Sequence, residues 1–146
     1  MKGKIFTPDE ITRMLPLVRR IVMDVKACST LIRRHERAIF EIELLAEQSS
    51  EAPSEDRIAE HREKIIALKE KAATCERELS ELGGEVEDAS RGIVKFYGER
   101  AARIVFYTWR LGEGRVEFWY PVDKTYGDRR SIDDGEPVAE AEARKS

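Results

Sequence analysis

Aromatic, arginine and acidic side chains are concentrated near the C-terminal end of the sequence, between Trp109 and Arg130. Aromatic rings beside guanidinium groups are typical of binding hot spots, because they combine a large apolar area with directional charge. Each strand of a sheet must also bury one face, so part of this group is expected in a core. The predicted binding surface comprises Trp109, Arg110, Glu113, Trp119, Tyr120, Asp123, Tyr126 and Arg129.

His35, His61, Cys28 and Cys75 are the histidines and cysteines of the chain, and both residue types can ligate transition metals. Two histidines can hold a metal or respond to pH, and two cysteines can form a disulfide or half of a thiolate site. No nucleotide-binding glycine loop and no C-x-x-C pair occurs in the sequence. We therefore predict no catalytic residue, no metal site and no cofactor, and we favour a protein that is not an enzyme.

The elements that must position these groups begin with two amphipathic helices. The run Thr7-Pro8-Asp9-Glu10 has the pattern of a capping box at the start of the first helix. Apolar residues then recur at alternating intervals of three and four, which is the heptad seam of a coiled coil. After a short polar loop a second seam continues to Gly83. We predict helices over about residues 8–48 and 54–82, joined as an antiparallel hairpin.

Folding the chain back at this loop pairs the two seams layer by layer and sets Cys28 against Cys75. Helix axes in such pairs lie about 8–10 Å apart, whereas a disulfide needs Cα atoms within about 7 Å. We expect two reduced thiols that fill a core layer, because free cysteine is commonly buried as a small apolar residue.

The same pairing places the two histidines in different layers. His35 is set against Leu68 and His61 against Ile42, several turns apart. We expect both to be polar seam residues that fix the register of the hairpin, and we do not expect them to share a metal.

The first helix carries more apolar residues than its seam can bury, and the second carries few. A two-helix hairpin cannot cover this surface alone, so we expect the sheet to cover part of it and a second copy of the hairpin to cover the rest. The apolar residues off the first seam are Leu15, Leu17, Val22, Leu31, Phe40, Leu44 and Leu45.

Beyond residue 84 the spacing of apolar residues changes from every three or four, as in a helix, to every second residue, as in a strand. We predict strands over 85–87, 92–96, 103–110 and 115–120, with turns over 97–100 and 111–114. Alternation along the third strand puts Val105, Tyr107 and Trp109 on one face and Ile104, Phe106 and Thr108 on the other.

The predicted fold class is α+β: a long antiparallel helical hairpin, coiled-coil-like, followed by a small antiparallel β-sheet. The hairpin is expected over residues 1–84 and the sheet, packed on it, over residues 85–132. The polar segment 133–146 is expected to be a flexible charged tail.

Charged residues make up 38% of the chain, and the net charge is −3 with both signs interspersed. Arg19-Arg20 and Arg33-Arg34 alternate with acidic residues, so a solvated, ion-paired helix face is favoured over a nucleic-acid site.

No apolar run is long enough to span a membrane or to serve as a signal peptide. We expect a cytoplasmic protein without membrane contact.

Several short motifs together resemble a known family. They are Phe6-Thr7, Met14-Leu15-Pro16-Leu17-Val18, Arg91-Gly92, Trp109-Arg110-Leu111-Gly112-Glu113, Phe118-Trp119, and Gly127 with Arg129. Over about residues 5–132 the chain resembles an uncharacterised bacterial family, domain of unknown function 2203. The resemblance implies a small bacterial cytosolic protein without an assigned activity. That family usually has His after the second Trp, where this chain has Tyr120, so no metal or proton-transfer role is expected there.

Three functional hypotheses follow from these patterns. The favoured one is a non-catalytic interaction or scaffold protein that forms a homodimer through its helical hairpin and presents its sheet to an unknown protein partner. The alternative is a small-ligand-binding or catalytic site at the junction of sheet and hairpin, formed by Arg110, Glu113, Tyr120 and Arg129. Nucleic-acid binding through the basic helix face is the least favoured.

Overall fold

The computed structural model describes residues 4–133 of the chain, so the predicted tail, apart from Asp133, lies outside the described residues. Two helices come first, α1 (Pro8–Gln48) and α2 (Glu55–Glu81). Five strands follow: β1 (Gly84–Asp88), β2 (Ile93–Arg100), β3 (Arg103–Arg110), β4 (Phe118–Pro121) and β5 (Arg130–Ser131). A 3-10 turn, Tyr126–Asp128, precedes β5. The predicted α+β class is confirmed.

The start of α1 is the capping box that the sequence predicts. The side chain of Thr7 accepts a hydrogen bond from the Glu10 amide at 3.1 Å, and the Glu10 carboxylate accepts one from the Thr7 amide at 2.8 Å. Phe6 and Ile11, on either side of the cap, are both buried in the core. The entry of the chain into α1 is therefore fixed by polar and apolar contacts together.

The five strands form an antiparallel meander in the order β1-β2-β3-β4-β5. Its inner face packs on the hairpin, since Val105, Tyr107 and Trp109 of β3 share one core cluster with the first half of α1 and with Leu79 of α2. The predicted alternation along β3 is confirmed.

The turn predicted over 97–100 is wrong, because these residues continue β2 as far as Arg100. Gly98 pairs with Val105 there, and the Tyr107 ring lies where a Gly98 side chain would stand. The chain reverses instead at Ala101 and Ala102, with φ angles of 51° and 66°. Two residues of positive φ suit the twist of a tight hairpin, although alanine rarely adopts that conformation.

The fourth strand was predicted over 115–120 but begins only at Phe118. The physical reason lies on α1, because the Val116 amide donates to the side-chain oxygen of Thr12 at 3.2 Å instead of pairing with β3. Val116 is buried, so this segment leaves the sheet to pack on the helix.

The inner core covers part of the surplus apolar surface of α1. Leu15 and Val22 are buried in the cluster that joins the hairpin to the sheet. Cys28 and Cys75 are buried and free, as predicted. Burial raises the pKa of the Cys75 thiol, and the Asp24 carboxylate raises it further.

No helix within residues 4–133 has the length and apolar character needed to cross a membrane.

Candidate functional site

The outer face of the sheet, on the side away from the hairpin, carries a row of aromatic rings. Opposed residues of antiparallel strands project to the same side, so Tyr97, Phe106 and Tyr120 lie in register across β2, β3 and β4. Their ring centroids are 4.8 Å apart for Tyr97 and Phe106 and 5.4 Å apart for Phe106 and Tyr120. The row forms a second core cluster with Ile93 and Tyr126.

A polar group of three side chains adjoins this row. The hydroxyl of Tyr120 donates a hydrogen bond to the Glu87 carboxylate, and the Lys95 ammonium lies 3.4 Å from the same oxygen. Burial and then the bond to Glu87 raise the pKa of Tyr120 well above its ordinary 10.0, so the phenol is protonated at neutral pH. Lys95 also lies 4.3 Å from the centroid of the Phe106 ring. The Glu87 carboxylate is therefore neutralised by a hydrogen bond from Tyr120 and by the charge of Lys95. None of the three side chains is an activated nucleophile.

The segment between β4 and β5 folds over the outer face. The amide and the hydroxyl of Thr125 both donate to Asp128 at 2.9 Å, and these hydrogen bonds lower the pKa of Asp128. The 3-10 turn closed in this way buries Tyr126. The guanidinium of Arg129 lies 4.2 Å from the Tyr126 ring centroid and 5.2 Å from that of Phe118. An arginine therefore covers the aromatic cluster from the solvent side.

The turn after β3 is closed by its own side chains. The indole nitrogen of Trp109 donates to the Glu113 carbonyl at 2.9 Å, and the Glu113 carboxylate accepts from the Arg110 amide at 3.0 Å. Partial burial raises the pKa of Glu113, while that hydrogen bond and the charges of Arg129 and Arg110 oppose the rise. Both arginines therefore lie within electrostatic reach of this carboxylate.

The eight residues of the predicted binding surface fall into two groups in the structure. The four aromatic ones, Trp109, Trp119, Tyr120 and Tyr126, are buried. Trp109 and Trp119 pack towards the hairpin, whereas Tyr120 and Tyr126 belong to the outer cluster, because each face of this sheet has its own core. Arg110, Asp123 and Arg129 are exposed, and Glu113 is half-buried. The predicted surface is thereby reduced to its charged members.

The four residues named for a junction site do not all face the hairpin. Tyr120 and Arg129 lie over the outer face of the sheet, and the register of β2 and β3 sets Arg110 opposite Ile93 on that same face. A site built from these residues would open to solvent on the far side of the sheet.

The part of the hairpin beyond the inner core, residues 31–69, is here called the distal hairpin. Its two helices pack on each other without a third layer from the sheet among the described residues. Five large apolar side chains are exposed on it: Leu31 (37%), Phe40 (63%), Leu44 (39%), Leu45 (59%) and Ile66 (58%). This surface is the surplus on α1 that the sheet leaves uncovered.

The two histidines meet inside the distal hairpin. Nδ1 of His35 lies 2.8 Å from Nδ1 of His61, and their ring centroids are 5.1 Å apart. The prediction that they lie several turns apart is wrong. Layer pairing compares positions along the two helices and takes no account of how far a side chain extends. The signal available in the sequence was one histidine in each seam.

Comparison with known protein families identifies a match over most of the chain. The family model described as "Uncharacterized conserved protein (DUF2203)" matches residues 4–132. No curated protein and no solved structure matches the chain.

Proposed function

The chain belongs to the uncharacterised conserved family DUF2203, and from its surface we propose that it is a non-catalytic interaction protein that forms a homodimer through the distal hairpin. The observation that carries the proposal is the exposure of Phe40 and Leu44, 63% and 39%, on the part of α1 that none of the described strands covers. Contiguous apolar surface of this kind marks interaction sites on soluble proteins.

The positions around these two residues favour a second copy of the chain as the occupant. Arg33, Arg37, Phe40, Leu44 and Glu47 follow one another at intervals of four and three along α1, so they form one exposed stripe. The stripe is basic at one end, apolar in the middle and acidic at the other end. A surface with that order of charges is complementary to itself when two copies run antiparallel.

An antiparallel pairing about a twofold axis between Phe40 and Leu44 pairs four of the five residues of the stripe. Phe40 of one copy then lies against Leu44 of the other, and Arg37 lies opposite Glu47 of the other. Such an interface is isologous, as in most homodimers, and each contact occurs twice. The exposed residues Leu45 and Ile66 extend the apolar area beyond the stripe.

The test is the mass of the protein in solution, measured by sedimentation velocity at micromolar concentrations. The proposal expects a dimer in the parent and a monomer in Phe40→Ser/Leu44→Ser. Leu17→Ser is the matched control, since Leu17 is 44% exposed but lies outside the distal hairpin. A monomeric parent, or a dimer that survives the double substitution, would overturn the proposal.

Charge exchange tests the orientation of the pair. Arg37→Glu alone and Glu47→Arg alone each set like charges against one another and are expected to weaken the dimer. The two substitutions together restore opposite charges and are expected to restore it. If the double variant remains as weak as the single ones, the antiparallel register is incorrect.

A second candidate function rests on Arg110 and Arg129, whose charges both act on Glu113. This cluster is suited to a small anionic ligand, because guanidinium groups bind carboxylates and phosphates with two hydrogen bonds. A thermal-shift screen against small carboxylates and phosphates, repeated with Arg110→Ala, tests it. Ligands that stabilise both proteins equally would count against the site.

We place the protein in the bacterial cytoplasm as part of the same proposal. The support is the pair of free cysteines, which suits a reducing compartment, together with the family resemblance of the sequence.

A further inference from the structure

His35 on α1 and His61 on α2 are the two histidines of the chain, and their rings face each other across the hairpin. A neutral imidazole has one nitrogen that donates and one that accepts. A bond between two Nδ1 atoms therefore requires one ring protonated at Nδ1 and the other carrying a lone pair there. A single proton lies between two nitrogens that are both good ligands for transition metals.

The distance between these nitrogens suits a shared metal ion. Zinc binds imidazole nitrogen at about 2.0–2.1 Å, so two nitrogens of one tetrahedral ion lie about 3.3 Å apart. The observed 2.8 Å is within about half an ångström of that separation, a difference that a small rotation of either ring removes. The ring planes are tilted by 51°, so the two imidazoles are not stacked.

The two imidazoles lie between the helices and are still partly accessible to solvent. Both histidines are half-buried, and they lie on helices that pack directly on each other. The two ligand nitrogens are already 2.8 Å apart before any metal arrives. Among residues 4–133 no group of three or more His, Cys, Asp and Glu side chains is placed to hold a metal, so one chain supplies two ligands.

We propose that His35 and His61 form a two-imidazole site for a divalent transition metal such as Zn²⁺, Ni²⁺ or Cu²⁺, which bridges α1 and α2 through both Nδ1 atoms. When the metal binds, the proton between the rings moves through water to Nε2 of its own ring. Both rings are then neutral Nε2–H tautomers, and both Nδ1 lone pairs bind the metal. Water completes the coordination shell in a single chain. The site is independent of the proposed homodimer, because both ligands belong to one chain.

A bound metal would cross-link the two helices of the distal hairpin. The described residues show no third layer there, so the distal hairpin depends on contacts between its two helices. Binding to the folded state alone raises its stability in proportion to the logarithm of the metal concentration. The expected role of the site is to stiffen the distal hairpin, which carries the proposed dimer surface.

The test is equilibrium dialysis of the full chain, without an affinity tag, against Zn²⁺ as the probe. Cys28→Ser/Cys75→Ser serves as the background in which all variants are made, so that thiols do not contribute. We expect one Zn²⁺ per chain in this background and loss of binding in His35→Gln and in His61→Gln. One metal per two chains would show that a single chain does not hold the ion and would contradict a site within one chain.

A spectroscopic measurement separates metal ligation from a purely structural hydrogen bond. Nitrogen-15 spectra of the imidazoles are expected to show one Nδ1–H and one Nε2–H ring without metal, and two Nε2–H rings with Zn²⁺. Circular dichroism verifies that each variant remains folded. Absence of Zn²⁺ binding by the cysteine-free parent, or Zn²⁺ retained by His35→Gln/His61→Gln, would overturn the proposal.

Discussion

Tyr120 on β4 donates its phenolic hydrogen to Glu87 on β1, although β2 and β3 lie between these strands in the sheet. No backbone hydrogen bond can connect strands that are not neighbours, so this contact is made entirely over the outer face. Lys95, on the intervening β2, lies 3.4 Å from the same carboxylate oxygen. Side chains thus join the edge strand β1 to the opposite half of the sheet.

Replacing Tyr120 by Phe is expected to lower the free energy of unfolding by about 1–3 kcal/mol, because the partly buried Glu87 loses a donor. Urea denaturation near neutral pH measures the change. Ile104→Ala is a suitable control, since Ile104 is on the same face but 44% exposed.

The same variant should alter the alkaline limit of stability. The folded state holds the Tyr120 proton above the ordinary pKa of 10.0, whereas the unfolded state releases it. The stabilisation that the Tyr120 proton provides is complete below the unfolded-state pKa of 10.0 and declines as pH rises from there towards the folded-state pKa. Urea curves at about pH 8 and about pH 10.5 should show a smaller loss for Tyr120→Phe than for the parent. Equal losses would contradict the assignment.

Asp88 is expected to set part of the acid sensitivity. Its carboxylate accepts from the Arg91 side chain at 2.8 Å and from the Ser90 hydroxyl at 2.8 Å, and these bonds lower its pKa from 3.8 to about 2. The resulting stability is present above the unfolded pKa and is lost as pH falls towards the folded one. Asp88→Asn should therefore be less stable than the parent at neutral pH, with the difference narrowing towards pH 2. A difference that does not change with pH would refute this.

Gly98→Ala should destabilise the protein by about 3 kcal/mol, in the range of overpacked cores. A Cβ at Gly98 would lie 2.1 Å from the Tyr107 ring and 3.1 Å from the Phe6 carbonyl oxygen. Gly114→Ala is the matched control, because nothing lies within 4 Å of a Cβ there. Thermal unfolding of both variants measures the contrast, and similar melting temperatures would show that the ring moves aside easily.

Both thiols should be unreactive towards an aromatic disulfide reagent in the folded protein. Cys28 and Cys75 are only 2% and 6% exposed. Burial also raises the pKa of Cys75, so this side chain stays protonated, and a thiol is less reactive than a thiolate. In urea both should react at once. Rapid labelling of either cysteine without denaturant would show that the hairpin opens at this layer.

Local patterns in the sequence were sufficient for the helices and for β3. The capping box at Thr7 and the alternation through Tyr107 depend on neighbours in the chain, so each could be recognised without knowing the fold. The reversal at Ala101 and Ala102 could not, because alanine carries no turn signal and the strands alone impose its positive φ.

The candidate sites were harder to predict because they depend on tertiary placement. The burial of Trp109 and Tyr126 follows from two separate cores on opposite faces of one sheet, which composition alone does not reveal. The contact between His35 and His61 depends on side-chain reach across two helices. Charged residues such as Arg110 and Arg129, in contrast, remained at the surface as their chemistry suggests.

The order of the elements has a consequence for how the chain folds. The helices pair in sequence order, and so do the strands, so most contacts join segments that are close along the chain. Low contact order of this kind favours rapid formation of the hairpin and of the meander as separate units. α2 and β1 are consecutive in the chain and also in contact, whereas the contacts that join the start of α1 to the sheet are distant in sequence, such as Phe6 with Gly98 and Thr12 with Val116. Docking of the first turns of α1 onto the sheet is therefore the step expected to limit the folding rate.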